Sequence, residues 1–238
     1  MDNSKLKNIV ILGGGTAGWM TASLLHKKWQ DLGIKITVVE SPDIGIIGVG
    51  EGSTPLLKVF FDSLDISESE WMPECNATYK NGISFNNWST VADYESYFHP
   101  FPSSLDFATF GLLYKYSSLR RKGEDVLAHP NRFSLMASLT EKKLAPIPSK
   151  NFPFHFQYGY HFDSVLIGKF LRDRAKKAGV EHIEATVEKV DQDSGGDITA
   201  LKLNNDQVLS ADYFIDCSGF ASVLMQKTLN VPFIDFSE

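Results

Sequence analysis

The run Gly13-Gly14-Gly15-Thr16-Ala17-Gly18 constrains this chain more than any other feature. It follows a short β-branched stretch, Asn8 to Leu12, that suits a buried parallel strand, and it opens a helical pattern continuing to about Gln30. A GxGxxG is weak evidence alone. Here residues 34–39 read as a second buried strand, and Glu40 ends it 22 positions after Gly18, which completes the dinucleotide-binding context. Glycines let the backbone approach a pyrophosphate at a helix N-terminus, where free N–H groups and the dipole favour anions, and a carboxylate takes ribose hydroxyls. The expected fold is α/β with a Rossmann-like nucleotide-binding sheet, and the candidate contacts are Gly13, Gly15, Thr16, Ala17, Gly18 and Glu40.

The chain then leaves the βαβ pattern. Residues 44–55 hold four glycines between Gly45 and Gly52, including Gly50, and lead into a helix near Pro55. From about 71 to 160 the sequence is rich in proline and aromatics, with strand-like alternation at 82–88, and is expected to be an inserted, substrate-facing segment. Regularity returns at 162–179, a helix with Asp163 as N-cap and Gly179 as C-cap. Strands are expected at 184–192, 198–203 and 213–215, the last running into Asp216 and then a closing helix over 221–229. A nicotinamide domain would continue as uninterrupted βαβαβ, so the split sheet favours FAD, with Asp216 at its late strand end. Val187 is placed either to touch the adenine or simply to fill the core.

Composition limits the setting. The 238 residues are 43% hydrophobic and 22% charged, an ordinary globular balance that excludes disordered and collagen-like classes. The net charge of -6, without a long basic run, argues against a nucleic-acid partner. Cys75 and Cys217 lie far apart with no metal-ligand spacing, which argues against a zinc site or disulfide framework and points to reducing cytoplasm. No apolar run approaches the length of a membrane span, and the first residues do not resemble a signal peptide.

Other residues are ambiguous alone. Lys80 reads as a solvated strand-edge lysine, Glu51 as a capping or catalytic carboxylate, and His99 and Phe101 as aromatic packing. Ser53 and Ser218 lack a GxSxG context, so serine hydrolysis has little support.

Five blocks in order remove much of that ambiguity. They are Gly13 to Trp19, Gly48 to Pro55, Glu74 to Lys80, Tyr160 to Asp163, and Asp216 to Phe220, and together they resemble the flavin-dependent tryptophan halogenases. The resemblance implies an FAD-dependent monooxygenase-type fold and a reaction in which reduced FAD, supplied by a separate flavin reductase, acts with oxygen and halide to give hypohalous acid. That acid then halogenates tryptophan or an indole-like aromatic. By resemblance, Lys80 holds or is converted by the hypohalite, as an ammonium donor or a nucleophilic amine. His99 and Phe101 fall where the family contacts the substrate ring, and Gly52 and Ser53 where its loop approaches the flavin.

The family continues past the position matched by Glu238, through a W-x-W-x-I-P motif, a second flavin segment and a carboxylate that partners the lysine. This chain has only Trp19, Trp29, Trp71 and Trp88, so it is expected to be an N-terminal portion. The rival expectations are a non-catalytic nucleotide-binding fragment and an FAD-dependent oxidoreductase or hydroxylase without halide chemistry. A homodimer is left open.

Overall fold

A computed structural model describes residues 6–45, 48, 51–92 and 94–237. The chain divides into two compact units.

The first unit takes residues 1–49, 68–75 and 163–238. Its centre is an all-parallel sheet of β1 (Asn8–Leu12), β2 (Lys35–Glu40), β7 (Glu181–Glu184) and β11 (Tyr213–Asp216), ordered β11-β1-β2-β7. Strands buried on both faces need apolar side chains on both. Ile9, Val10 and Ile11 of β1 and Val38 and Val39 of β2 are all buried. The helices α1 (Thr16–Trp29) and α6 (Ser164–Ala178) pack together in this unit, bringing in Trp19, Ala22, Ile167 and Leu171, each at most 1% exposed. Ile167 and Leu171 each contribute about 1.5–3 kcal/mol by such burial. Val10, Leu12 and Val39 of the sheet join Leu201, Leu203 and Leu224 in one buried apolar cluster. Leu201 and Leu203 come from an antiparallel meander, β8 (Val187–Gln192), β9 (Ile198–Leu203) and β10 (Val208–Ser210).

Local signals behave as their chemistry requires. Asp163 caps α6 by accepting from the N–H groups of Val165 and Leu166 at 2.9 and 3.0 Å, and Gly179 closes it in the left-handed region at φ 112°. Helix α1 ends at Trp29, after which 30–32 tighten into a 3₁₀ turn and Gly33 turns left-handed at φ 69°. The expected closing helix is replaced by a 3₁₀ turn, Gly219–Ala221, and a π-helical segment, Val223–Thr228. Its wide turn starts at Ser222, φ 40°, and its first amides are taken by Asp216 and Ser218.

The second unit takes residues 50–67 and 76–162, starting earlier than the expected inserted segment and leaving out 71–75. Residues 71–74 end α3 (Glu68–Glu74), which packs on α6 and carries the fully buried Trp71, and the Asp163 N–H donates to the Cys75 carbonyl at 3.0 Å. The second unit has two antiparallel ribbons, β3 (Thr78–Lys80) with β6 (Gly159–His161), and β4 (Gly82–Phe85) with β5 (Tyr97–Pro100). Among the described residues the α-helices accompanying them are α2 (Leu56–Ser63), α4 (Ser104–Arg121) and α5 (Leu135–Glu141). Ser103 and Asp106 cap α4 reciprocally, and Asp106, 1% exposed, also accepts from the Leu135 N–H at 2.8 Å, which fixes the start of α5.

Candidate functional site

In the first unit, the β1–α1 turn, the end of β2 and the strand entering at Val187 enclose a cavity of about 240 Å³. Gly13, Gly15, Glu40 and Val187 line it, as do Thr186 and Ser218. Gly13 has φ 117°, and a Cβ there would lie 2.2 Å from the Cys217 carbonyl oxygen, so the turn and the end of β11 approach this closely only with glycine. A Cβ on Gly18 would lie 1.9 Å from the Gly13 carbonyl oxygen, so the first turn of α1 needs glycine to close on the loop. Gly15 faces open space and, as N-cap, supplies no side-chain acceptor to the amides of the first turn, which begins with Thr16, Ala17 and Gly18. That turn carries no acidic residue, so its electropositive end is left for an external anion.

Asp216 lies outside this cavity lining. Its carboxylate accepts from the Ser218 N–H and hydroxyl and from the amides of Leu224 and Met225, at 2.5–3.0 Å. Burial pushes its pKa up, but these hydrogen bonds outweigh burial and hold it below the ordinary aspartate value. Asp216 therefore shapes the cavity wall through the backbone that follows it. Gly50 lies outside the described residues.

In the second unit, β3 and β6 carry the other candidate. The Ser53 N–H donates to the Tyr160 carbonyl at 2.8 Å, and the Tyr160 N–H donates to the Ser53 hydroxyl at 2.9 Å. Gly52 bridges to His161. This clamp lays the glycine against Lys80: a Cβ on Gly52 would fall 2.9 Å from Lys80 Nζ and 3.5 Å from His161 Nδ1. Lys80 Nζ also stands 5.8 Å from the centroid of the Phe101 ring, within cation–π range, and Phe101 is itself buried.

A cavity of about 640 Å³ opens beside these groups, lined by Tyr79, Lys80, Asn81, Phe98, Lys143 and His161 among others. That volume is in the range of small-molecule sites. Burial, and then the Lys80 charge, push the His161 pKa below the ordinary histidine value, so the imidazole beside the lysine favours its neutral form.

Lys80, Gly52, Ser53 and Phe101 are thus brought together. His99 is not: it is exposed on β5, paired with Ile83, its ring edge-on to Phe85 at 6.5 Å, and it does not line the cavity. His161 and Lys143 were not identified from the sequence as site residues. His161 sits inside the Tyr160 to Asp163 block and pairs with Thr78 across the β3–β6 ribbon, a placement that alternation on two short strands could have indicated. Among the described residues, no group of histidine, cysteine or carboxylate side chains could hold a metal ion, and no helix is long and apolar enough to cross a membrane.

Comparisons with known proteins agree on one family. The sequence model for tryptophan halogenase matches residues 8–238. The chain is 39% identical over 253 residues to the tryptophan 6-halogenase ThaL of Streptomyces albogriseolus, covering 100% of this chain and 47% of that protein. Among solved structures, the tryptophan 6-halogenase SttH of Streptomyces toxytricini superposes with a TM-score of 0.82 at 37% identity, over 96% of this chain and 45% of SttH. BrvH, a flavin-dependent halogenase from Brevundimonas sp. BAL3, gives 0.81 at 31% identity, over 98% of this chain and 46% of BrvH. The chain spans about half the length of the relatives it matches. With its five motif blocks, its parallel α/β sheet and a family match over nearly every residue, this chain belongs to the tryptophan halogenase family.

Proposed function

We propose that this chain carries the nucleotide cradle and the reactive lysine of a flavin-dependent halogenase acting on tryptophan or another electron-rich aromatic. The observation that carries this reading is the setting of Lys80, whose ammonium nitrogen is pressed against Gly52, faces the Phe101 ring and opens onto a 640 Å³ cavity.

The first unit fits the adenosine and pyrophosphate part of FAD. Gly15 and the uncapped first turn of α1 present amides to the pyrophosphate, Glu40 accepts from ribose hydroxyls, and Val187 lies against the adenine. Bound in its reduced form, FAD supplies the oxygen chemistry that oxidises halide to hypohalous acid. A separate flavin reductase provides that reduced form.

Lys80 acts on the product of that oxidation. As an ammonium it donates a hydrogen bond to the hypohalite oxygen and holds the electrophilic halogen beside the ring to be substituted. As a neutral amine it attacks the halogen directly, releasing water and carrying the halogen as a haloamine. Phe98 supplies an apolar wall of the cavity and the buried Phe101 ring backs Lys80, which suits an aromatic substrate. His99 stands apart from this arrangement in the second unit.

The test uses the protein carrying this chain at its relatives' full length, with flavin reductase, halide and tryptophan. Lys80→Ala is expected to remove halogenated product, read by mass spectrometry, while FAD affinity stays at the parent value. Unchanged product formation by Lys80→Ala would contradict the assigned role.

A further inference from the structure

His182, on β7, is a buried titratable side chain that plays no part in the reading above. Its side chain is 3% exposed, and its Nε2 lies 2.9 Å from Glu40 Oε2. The β2–β7 register pairs His182 with Val38, so Glu40 is its diagonal neighbour on the same face of the sheet. Trp19 of α1 meets the imidazole edge-on, with ring centroids 5.1 Å apart. The other ring nitrogen, Nδ1, is 3.3 Å from Lys176 Nζ on α6 and 3.9 Å from Glu184 on its own strand.

Glu40 is held from its other side as well. A Cβ on Gly14 would lie 2.2 Å from Glu40 Cδ and 2.4 Å from Oε2, so the carboxylate lies over the glycine turn in the space a side chain would fill. Gly14 is a free position of GxGxxG, and the turn alone does not require glycine there. Glu40 Oε2 and His182 Nε2 are both buried and stand 2.9 Å apart, yet neither has an aligned hydrogen bond, to the other or to any other described group, so each is a polar partner within reach of the other. Burial holds the imidazole below the ordinary histidine range although the Glu40 charge pulls the other way. The neutral ring therefore offers one N–H, and with that proton on Nε2 a small turn of the imidazole would give Glu40 Oε2 its donor.

We propose that His182 is a positioning residue for the nucleotide: with Gly14 it fixes the Glu40 carboxylate by one oxygen and leaves the other for the ribose hydroxyls. This rests on the reading of Glu40 as the ribose-binding carboxylate. A side chain on Gly14 displaces the carboxylate from one side, and loss of the imidazole N–H releases it from the other.

The experiment is a calorimetric titration of this chain with ADP, with thermal unfolding of each variant as the check on folding. Glu40→Gln and His182→Leu are each expected to weaken ADP binding about tenfold, the scale of one hydrogen bond. The double variant should bind no more weakly than Glu40→Gln alone, because His182 acts only through that carboxylate. His182→Gln, which keeps a donor, should recover most of the affinity, and Gly14→Ala should reproduce the loss even if His182→Leu fails to fold. Multiplying losses in the double variant, or parent affinity in both His182→Leu and Gly14→Ala, overturns the inference while leaving Glu40 in place. Parent affinity in Glu40→Gln, or no ADP binding by the parent chain, overturns the nucleotide reading itself.

Discussion

The nucleotide cradle and the Lys80 cavity rest on different kinds of support. The cradle is built of backbone: a glycine turn, the first amides of a helix and the end of a strand, all held by a four-stranded parallel sheet with apolar residues on both faces. The Lys80 cavity is built of side chains on two short ribbons, one only three residues long on each strand, clamped by the Ser53–Tyr160 hydrogen bonds. A backbone-built site tolerates change in most side chains but fails where a Cβ cannot be accommodated. A side-chain site fails where one atom group moves, while its unit stays folded.

That contrast can be broken or sharpened by substitution. Gly52→Ala puts a methyl group 2.9 Å from Lys80 Nζ, and the lysine, as the flexible partner, must shift. Misplacing a reacting group by about an ångström costs on the order of 10²-fold. Turnover in the full-length protein is expected to fall by about that factor with FAD affinity unchanged, as steady-state kinetics and flavin titration would report. Wild-type turnover would show that Lys80 has slack.

Gly13→Ala tests the cradle in the opposite way. A left-handed backbone and the 2.2 Å approach to Cys217 O should cost about 3 kcal/mol of folding stability, measured by chemical denaturation, with nucleotide binding lost as the turn distorts. Asp106→Ala probes the second unit away from its cavity. It removes acceptors for the Ser103 and Leu135 amides, and about 2 kcal/mol of stability should go with them.

The smallest effect is in pH dependence. Because burial depresses the folded-state pKa of His182, its contribution to stability is complete above its unfolded value, near 6.5, and is lost as pH falls through the depressed folded value. Glu40, Lys176 and Glu184 are the charged groups facing the ring. Acid unfolding of the parent should therefore show a component below pH 6.5 that His182→Gln removes. An identical pH profile in the variant would place that component elsewhere.

The same contrast explains what was legible in the sequence. The β1–α1 turn and its parallel sheet were legible because glycine spacing and strand ends carry them, and the caps Asp163 and Gly179 fell where their side chains and backbone require. The second unit was harder to read. Helix α4 leaves Phe107, Leu112 and Tyr114 exposed, which blurs its apolar period; the capping-box spacing of Ser103 and Asp106, which the structure shows at its start, is a signal the sequence reading passed over. Lys80 alone looked like a solvated lysine, and only the resemblance gave it a role, since a sequence does not show that Gly52 and His161 meet it. His182 was hidden for a similar reason: its partner Glu40 is 142 positions away and reached only through the β2–β7 pairing.

The role we propose for Lys80 is delivery of halogen, rather than oxygen, to an aromatic ring. The most direct measurement is the mass of the product formed from tryptophan by the protein at its relatives' full length, with an added flavin reductase, in chloride, in bromide and without halide. The expected result is a chlorinated product, a brominated product and no product, respectively. A hydroxylated product that forms in all three would contradict it.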